Sequence, residues 1–426
     1  MATAEADGCP FRPFSETYLA DPYPTLNTLR EQGPVFFDDE LGVYVVTRHA
    51  EVEAVFHDHE TFSAANAQDP IVPLGAQAQA LLADAGFRRL KTMSNADGEF
   101  HSRIRRHNQV GFSPRRLRSM EPIVRSSASG LIDAMVARAT RPDGPDGVAR
   151  TDLVAALSYP LPAGIIFALL GFDPEDTELL KSWAGNRMLF SWGRPTDDEQ
   201  AEIAGYMLRY WDYCEAHTAR RLAAPADDFT SDLVRIHLED PEAIAPAEIS
   251  HVIYGFSFAG HETTTNLISN TVRRLLETPG AWSELVADRS LIPAAVDEGL
   301  RHDSSVLVWR RRATVATEIG GVAIPAGAAV VLLLGAANHD PRVFADPDRF
   351  DLHRTDAHRH LSFGWGRHYC LGAPLAKLEV AVVLETLLDR APGLRLAPGP
   401  QLAFHPNVSF RGPRELWVEW DGSGRG

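Results

Sequence analysis

The sequence predicts a mainly α-helical chain carrying small β-sheets. Three features lead there. Helix-compatible segments fill most of residues 114–245, the longest such run covers residues 249–276, and alternating apolar patterns are confined to short stretches at 34–48 and 318–336.

In chain order, residues 20–32 read as a short helix. Residues 34–48 read as a strand pair, Pro34-Val35-Phe36-Phe37 and Val43-Tyr44-Val45-Val46-Thr47, joined by a turn at 38–42. A helix follows over 49–57. The stretch 66–91 is irregular, interrupted by Pro70, Pro73 and Gly75, with one small apolar helix candidate at 76–85. Connections this long often serve as lids or binding loops. The helical region 114–245 is broken by a Pro/Gly-rich link at 141–147. Its aromatics, among them Trp183, Phe190, Trp192, Tyr210 and Trp211, read first as core packing. The run 249–276 has an acidic start at Glu248. The strands over 318–336 turn at Ile324-Pro325-Ala326-Gly327, and residues 406–412 read as a hairpin.

Composition narrows the function. The formal net charge is −16, from 41 Lys+Arg against 57 Asp+Glu, which argues against nucleic acid as a partner. No stretch reaches the roughly 18 apolar residues needed to cross a membrane. The first residues have neither a basic region nor an apolar core, so a cytoplasmic location is expected. Cys9, Cys214 and Cys370 are too few and too scattered for a disulfide framework.

The stretch with the most chemistry is Phe363-Gly364-Trp365-Gly366-Arg367-His368-Tyr369-Cys370-Leu371-Gly372. Its glycines allow close approach to a flat ligand, and a helix start follows at Ala373-Pro374. A cysteine there sees free N–H groups and the positive end of a helix dipole, both of which favour the thiolate. One soft axial bond to a haem iron suits such a thiolate. A zinc site from His360, His368 and Cys370 lacks a fourth ligand at usual spacing.

Other stretches carry chemistry less specifically. His101 and Arg105 stand four apart, on one helix face, and suit an anionic group; the plainer reading is a solvated basic face. In Ala259-Gly260-His261-Glu262-Thr263-Thr264, a mid-helix glycine costs about 1 kcal/mol relative to alanine and suggests a required gap. The Thr263 hydroxyl can compete for the carbonyl one turn back, bending the helix and leaving room for a diatomic ligand. A carboxylic acid beside an alcohol, Glu262 beside Thr263, can relay protons. Glu298 and Arg301 are an acid and a base at i and i+3.

Together these stretches resemble the cytochrome P-450 family across essentially the whole chain. The Cys370 loop fills every defining position of Phe-Gly-x-Gly-x-His/Arg-x-Cys-x-Gly. Residues 259–264 match the oxygen-activating motif, Glu298 and Arg301 match Glu-x-x-Arg, and His101 and Arg105 match His-x-x-x-Arg. The two prolines that usually precede that histidine are replaced by Gly98 and Glu99, and His339 stands where the family often has Arg.

The resemblance implies the family's triangular prism, one haem domain over residues 1–426, with haem b between the long I helix and the Cys-ligand L helix. Cys370 would be the metal ligand, and His101, Arg105, Arg311 and His368 would hold the propionates, with Arg310 as the alternative to Arg311. Phe363 and Gly372 would lie beside the ligand loop. Glu262 and Thr263, with Ala259 and Gly260, would serve oxygen chemistry, while Glu298 and Arg301 would brace the proximal side. Phe190, Gly255, Phe258, Val306, Leu307, Val308, Val408, Ser409 and Phe410 would line the pocket, with Arg88 and Arg89 available to a substrate carboxylate. The implied activity is monooxygenation of an apolar or aromatic small molecule by O2.

No reductase is fused within the chain, so electrons are expected from a separate ferredoxin and ferredoxin reductase. Arg103, Arg105, Arg106, Arg115, Arg116 and Arg118 form a basic island that would steer an acidic ferredoxin, or serve the haem and internal pairs. Use of the same scaffold as a peroxygenase or coupling enzyme is the alternative, with a non-catalytic haem sensor behind it.

Overall fold

Pro22 divides the first expected helix in two. The computed structural model describes residues 11–87, 92–139, 148–184, 187–399 and 402–421, and shows helices Glu16–Ala20 and Tyr23–Gln32 in place of one helix over 20–32. Proline restricts the residue before it to extended backbone, and Asp21 sits at φ −145°, ψ 102°. Cys9, Arg88, Arg89 and the link at 141–147 lie outside the described residues.

Val35–Asp38 pairs antiparallel with Val43–Val46, which continues in parallel to Ala329–Leu333. Val308–Ala313 and Phe62–Ser63 complete a five-stranded sheet. Alternation sends neighbours to opposite faces. Val46 packs with Val52, Val55 and Phe56 of the helix His49–His57, whereas Val45 packs with Leu26 and Leu29. Phe62–Ser63, Val308–Ala313, Arg395–Leu396 and Trp417–Asp421 were not foreseen as strands, nor was Val148–Asp152, which pairs with Trp417–Asp421 at the far end of the chain. The five residues of Val148–Asp152, only one of them fully buried, carry too little pattern to be read alone.

The remainder is largely helical. Helices Pro114–Ala139, Pro160–Leu170, Asp197–Ala223, Pro246–Ala259, Glu262–Glu277 and Ala373–Arg390 share an apolar core that includes Ile132, Ile166, Tyr210, Ile253, Ile268 and Val383. The long run foreseen over 249–276 is two helices, separated at Gly260 and His261. Residues 406–412 form no strand ladder. Isolated bridges Phe404–Pro413 and Val306–Phe410 hold them, with hydrogen bonds from Leu307 N–H to the Ser409 carbonyl (2.7 Å) and from Val408 N–H to the Trp192 carbonyl (3.0 Å). Among the described residues, no helix is long and apolar enough to cross a membrane.

Candidate active site

Cys370 stands at the end of a glycine-shaped loop, just before the helix Ala373–Arg390. Gly364 and Gly366 both have φ of 67°. At Gly366 a side chain would begin 3.1 Å from the Phe56 carbonyl oxygen, so a larger residue meets both strain and backbone. The Cys370 N–H donates to the Phe363 carbonyl at 3.0 Å, and the Phe363 ring lies 6.2 Å from Tyr369 and 5.7 Å from His360. Gly372 has φ −78°, and a Cβ there would sit 3.8 Å from the Cys370 sulfur, so the geometry makes no special demand for glycine at 372.

Cys370 is an exposed residue, yet the protein atoms packed around its sulfur are the largest influence on the thiol. Burial raises the pKa, while the Gly372 and Ala373 N–H groups and the Arg105 charge pull it down. The helix-start N–H groups anticipated from the sequence are present, but burial outweighs them.

Hydrogen-bond donors gather beside this sulfur. The His101 and His368 rings lie 4.1 Å apart, and the Nε2 of each is buried with no partner. Arg311 is 1% exposed; it lies over the Phe56 ring and donates to the Arg310 carbonyl at 2.9 Å. Arg105 donates to the Tyr369 carbonyl at 2.8 Å. Burial first, then neighbouring cations, pull His101 down to about 4 and His368 down to about 2. Burial lowers Arg311 to about 10.

Asp97, 4.0 Å from His368 Nε2, is the carboxylate acting on this cluster, and it already accepts from Ser63 Oγ (2.5 Å) and Ala64 N–H (3.1 Å). Sequence reasoning passed over Asp97, which nothing in its local pattern marks. Buried donors in such excess over acceptors fit a ligand with carboxylates of its own. The haem propionates are such groups.

The structure also separates the two arginines left open by the sequence. Arg310 turns the other way, donating to the Asp69 and Ser191 carbonyls and lying 3.8 Å from the Trp192 ring.

At the helix break, the Thr263 hydroxyl donates to the Ala259 carbonyl at 2.8 Å. Burial raises Glu262 to about 8, with Arg187 opposing. The gap read at Gly260 is filled by protein: a Cβ there would come within 2.7 Å of Ile166, so the glycine is required by the close approach of the helix Pro160–Leu170. His261 is fully buried, beside the Tyr159 ring at 4.9 Å, and neither ring nitrogen has a partner.

The expected pocket residues divide. Gly255 faces Thr92, whose Cγ2 would be 3.7 Å from an added Cβ. Phe258 packs against Tyr210 and Tyr254 at 4.7 and 4.9 Å. Phe190 is 1% exposed and clusters with Ile203 and Met207, so it belongs to the packing beneath the helix Asp197–Ala223. Leu307 is a correction: it approaches Gly335 beside Leu26, on the N-terminal side of the sheet. Phe410 packs with Trp192 and Trp309 and shares a small cleft with Leu307 and Tyr18. Val306, Val308, Val408 and Ser409 are brought together by the Leu307–Ser409 backbone bond and by Ser409 Oγ donating to the Val308 carbonyl at 2.5 Å.

Two ionic hubs hold the frame. Arg301 binds Glu298 through two 2.7 Å bonds, both side chains fully buried, and also donates to the Asn338, Pro347 and Arg349 carbonyls. Arg354 Nε joins Glu298 at 3.2 Å. The second hub was missed by sequence reasoning: Asp303 accepts from Arg273, Arg274, Arg411 and Tyr23. His339 bonds Asp348 at 2.9 Å and stacks on Tyr23.

Comparison with known proteins agrees with this architecture. The family model described as Cytochrome P450 matches residues 282–391. Cytochrome P450 monooxygenase PikC of Streptomyces venezuelae is 34% identical over 410 residues, covering 95% of this chain and 92% of that protein. The structure of cytochrome P450 CREJ in complex with (4-ethylphenyl) dihydrogen phosphate superposes with a TM-score of 0.90 at 39% identity, covering 96% of this chain and 99% of the other. An intact type IV self-sufficient cytochrome P450 monooxygenase matches at 0.92 and 35%, over 98% of this chain and 54% of its own. The chain belongs to the cytochrome P450 family, the haem-dependent monooxygenases.

Proposed function

We propose that residues 1–426 form a single haem domain that oxidises a compact aromatic or apolar molecule with electrons from a separate ferredoxin and ferredoxin reductase. The observation that carries this reading is the set of buried, unpartnered donors at His101 and His368, with Arg105 and Arg311, near the free Cys370. Cys370 would bind the iron, and His101, Arg105, Arg311 and His368 the propionates. Haem supplies the redox-active iron at which O2 is activated.

The chain's own residues would govern protons and access. Glu262, held neutral by burial, would donate a proton toward the Thr263 hydroxyl, and the Thr263–Ala259 bond would keep the helix open at that point. Aromatic packing of Phe258, Tyr210 and Tyr254 above this break supports a compact substrate, and the related CREJ structure holds a small aromatic compound.

Docking of an electron donor is supported by exposed Arg106, Arg115 and Arg118 near exposed Val110, with Trp365 and Tyr369 exposed on the Cys370 loop. Part of the basic island is committed elsewhere: Arg103 pairs with Glu248 at 2.6 Å, Arg116 pairs with Asp227 and Asp232, and Arg105 binds the loop. Cys214 and Cys370 are both free, which is consistent with a reducing, cytoplasmic location.

The reduced, CO-bound absorption spectrum tests the reading. A Soret band far to the red identifies a thiolate ligand. A band typical of histidine or thiol ligation would remove Cys370 from the role and the monooxygenase reading with it.

A further inference from the structure

Arg367 belongs to the Cys370 loop, yet its guanidinium reaches the first turn of the helix Gly98–Asn108. Three acceptors meet it there. It donates to the Gly98 carbonyl at 2.6 Å, to Ser102 Oγ, and from Nε to His101 Nδ1 at 3.2 Å. The helix has no side-chain cap of its own, because Asp97 at its N-cap is spent on Ser63 and Ala64. Gly98, at φ 60°, adds no stiffness to that turn, so the grip comes from a segment more than 250 positions away.

The bond to His101 has a chemical consequence. A guanidinium carries donors only, so His101 Nδ1 is the acceptor. In the neutral ring the single N–H proton is then on Nε2, the nitrogen that is buried and has no partner. Burial, and after it the Arg367 charge, keep the ring neutral. The ring is fully buried and lies 4.1 Å from His368, inside the donor cluster. With the other tautomer Nε2 would present a lone pair, and an anion placed there would be repelled.

We infer that Arg367 is a positioning residue, which fixes the tautomer of His101 and so commits its Nε2–H as a donor to a haem propionate. This deepens the proposed function and rests on its reading of His101 as a propionate donor. The loop that would carry the iron ligand thereby also sets the ring that would hold the propionate. A propionate that loses a donor keeps more of its negative charge, and that charge disfavours the reduced iron.

The test is a double-mutant cycle of Arg367→Met and His101→Phe in the holoenzyme. Haem transfer to apomyoglobin gives the rate of haem loss, and spectroelectrochemical titration gives the reduction potential. Arg367→Met alone should speed haem loss about tenfold, the scale of one charge-assisted hydrogen bond, and move the potential to more negative values. In the His101→Phe background the same substitution should change the rate by less than about twofold. Any shift from the Arg367 charge itself persists in both backgrounds, so the part that depends on His101 is the measure. Ser102→Ala, which takes another partner from the guanidinium and spares His101, should leave both readouts unchanged. If Arg367→Met yields no haem protein, Arg367→Lys takes its place in the cycle. Equal effects of replacing Arg367 with and without His101, or haem loss in Arg367→Met at the parent's rate, would overturn the inference. A parent lacking the thiolate CO band, or His101→Phe holding haem as firmly as the parent, would defeat the underlying reading and the inference with it.

Discussion

The Thr263 hydroxyl bonds the Ala259 carbonyl across the break between two helices, at 2.8 Å. That carbonyl is thereby satisfied by a side chain where the helix ladder is interrupted, which lets the break persist without an orphaned acceptor. Glu262 precedes it, its carboxyl pushed up to about 8 by desolvation, so an acid and an alcohol stand in sequence at one point of the fold.

Thr263→Ala should remove the alcohol and lower coupled product formation by roughly 10²-fold, the usual contribution of a positioned proton donor. The reduced CO band should stay unchanged, because Cys370 is untouched. Product and peroxide per electron consumed measure the effect, and unchanged coupling would exclude Thr263 from proton delivery.

Glu262 also predicts a pH dependence. Its folded pKa of about 8 lies above the ordinary carboxyl value of 4.5, so the native state holds the proton more tightly than the unfolded chain. Stability then falls as pH rises from about 4.5 to about 8 and levels off above that window. In Glu262→Gln this contribution disappears. The difference in Tm between Glu262→Gln and the parent should widen in favour of the variant across the window, and a constant difference would contradict the burial effect.

Glu298→Gln should destabilise the fold by about 3–5 kcal/mol, since it leaves Arg301 and Arg354 buried with one fewer charge to meet them. Denaturant unfolding followed by tryptophan fluorescence measures this. A loss below about 1 kcal/mol would show that Arg301's three backbone carbonyl partners suffice.

Arg106, Arg115 and Arg118 offer exposed charge, whereas Arg103 and Arg116 are already paired. Replacing the three exposed residues with Glu should slow reduction by an acidic ferredoxin and remove most of its dependence on ionic strength. Replacing Arg103 should instead cost stability. Stopped-flow reduction rates at low and high salt discriminate, and an unaltered salt slope would place the docking surface elsewhere.

Arg311→Met should lower haem retention more than Arg310→Met, because only Arg311 shares the site of His101 and His368. The ratio of Soret to protein absorbance after gel filtration reports this. Equal loss in the two variants would return the assignment to the ambiguity present in the sequence.

By itself the sequence determined the helical class, the glycine-shaped Cys370 loop, the Glu262–Thr263 pair and the sheet strands around residues 34–48. Each depends on neighbours within a turn or two, where backbone sterics and periodicity act directly. Only the tertiary structure decided the rest. Ile166, nearly a hundred positions away, explains Gly260; Gly335 and Leu26 turn Leu307 out of the pocket; and Asp303 gathers Arg273, Arg274 and the distant Arg411. Which face a side chain presents, and whether a cation finds a counter-ion, depend on helices that pack across long sequence separations, and no local pattern carries that information.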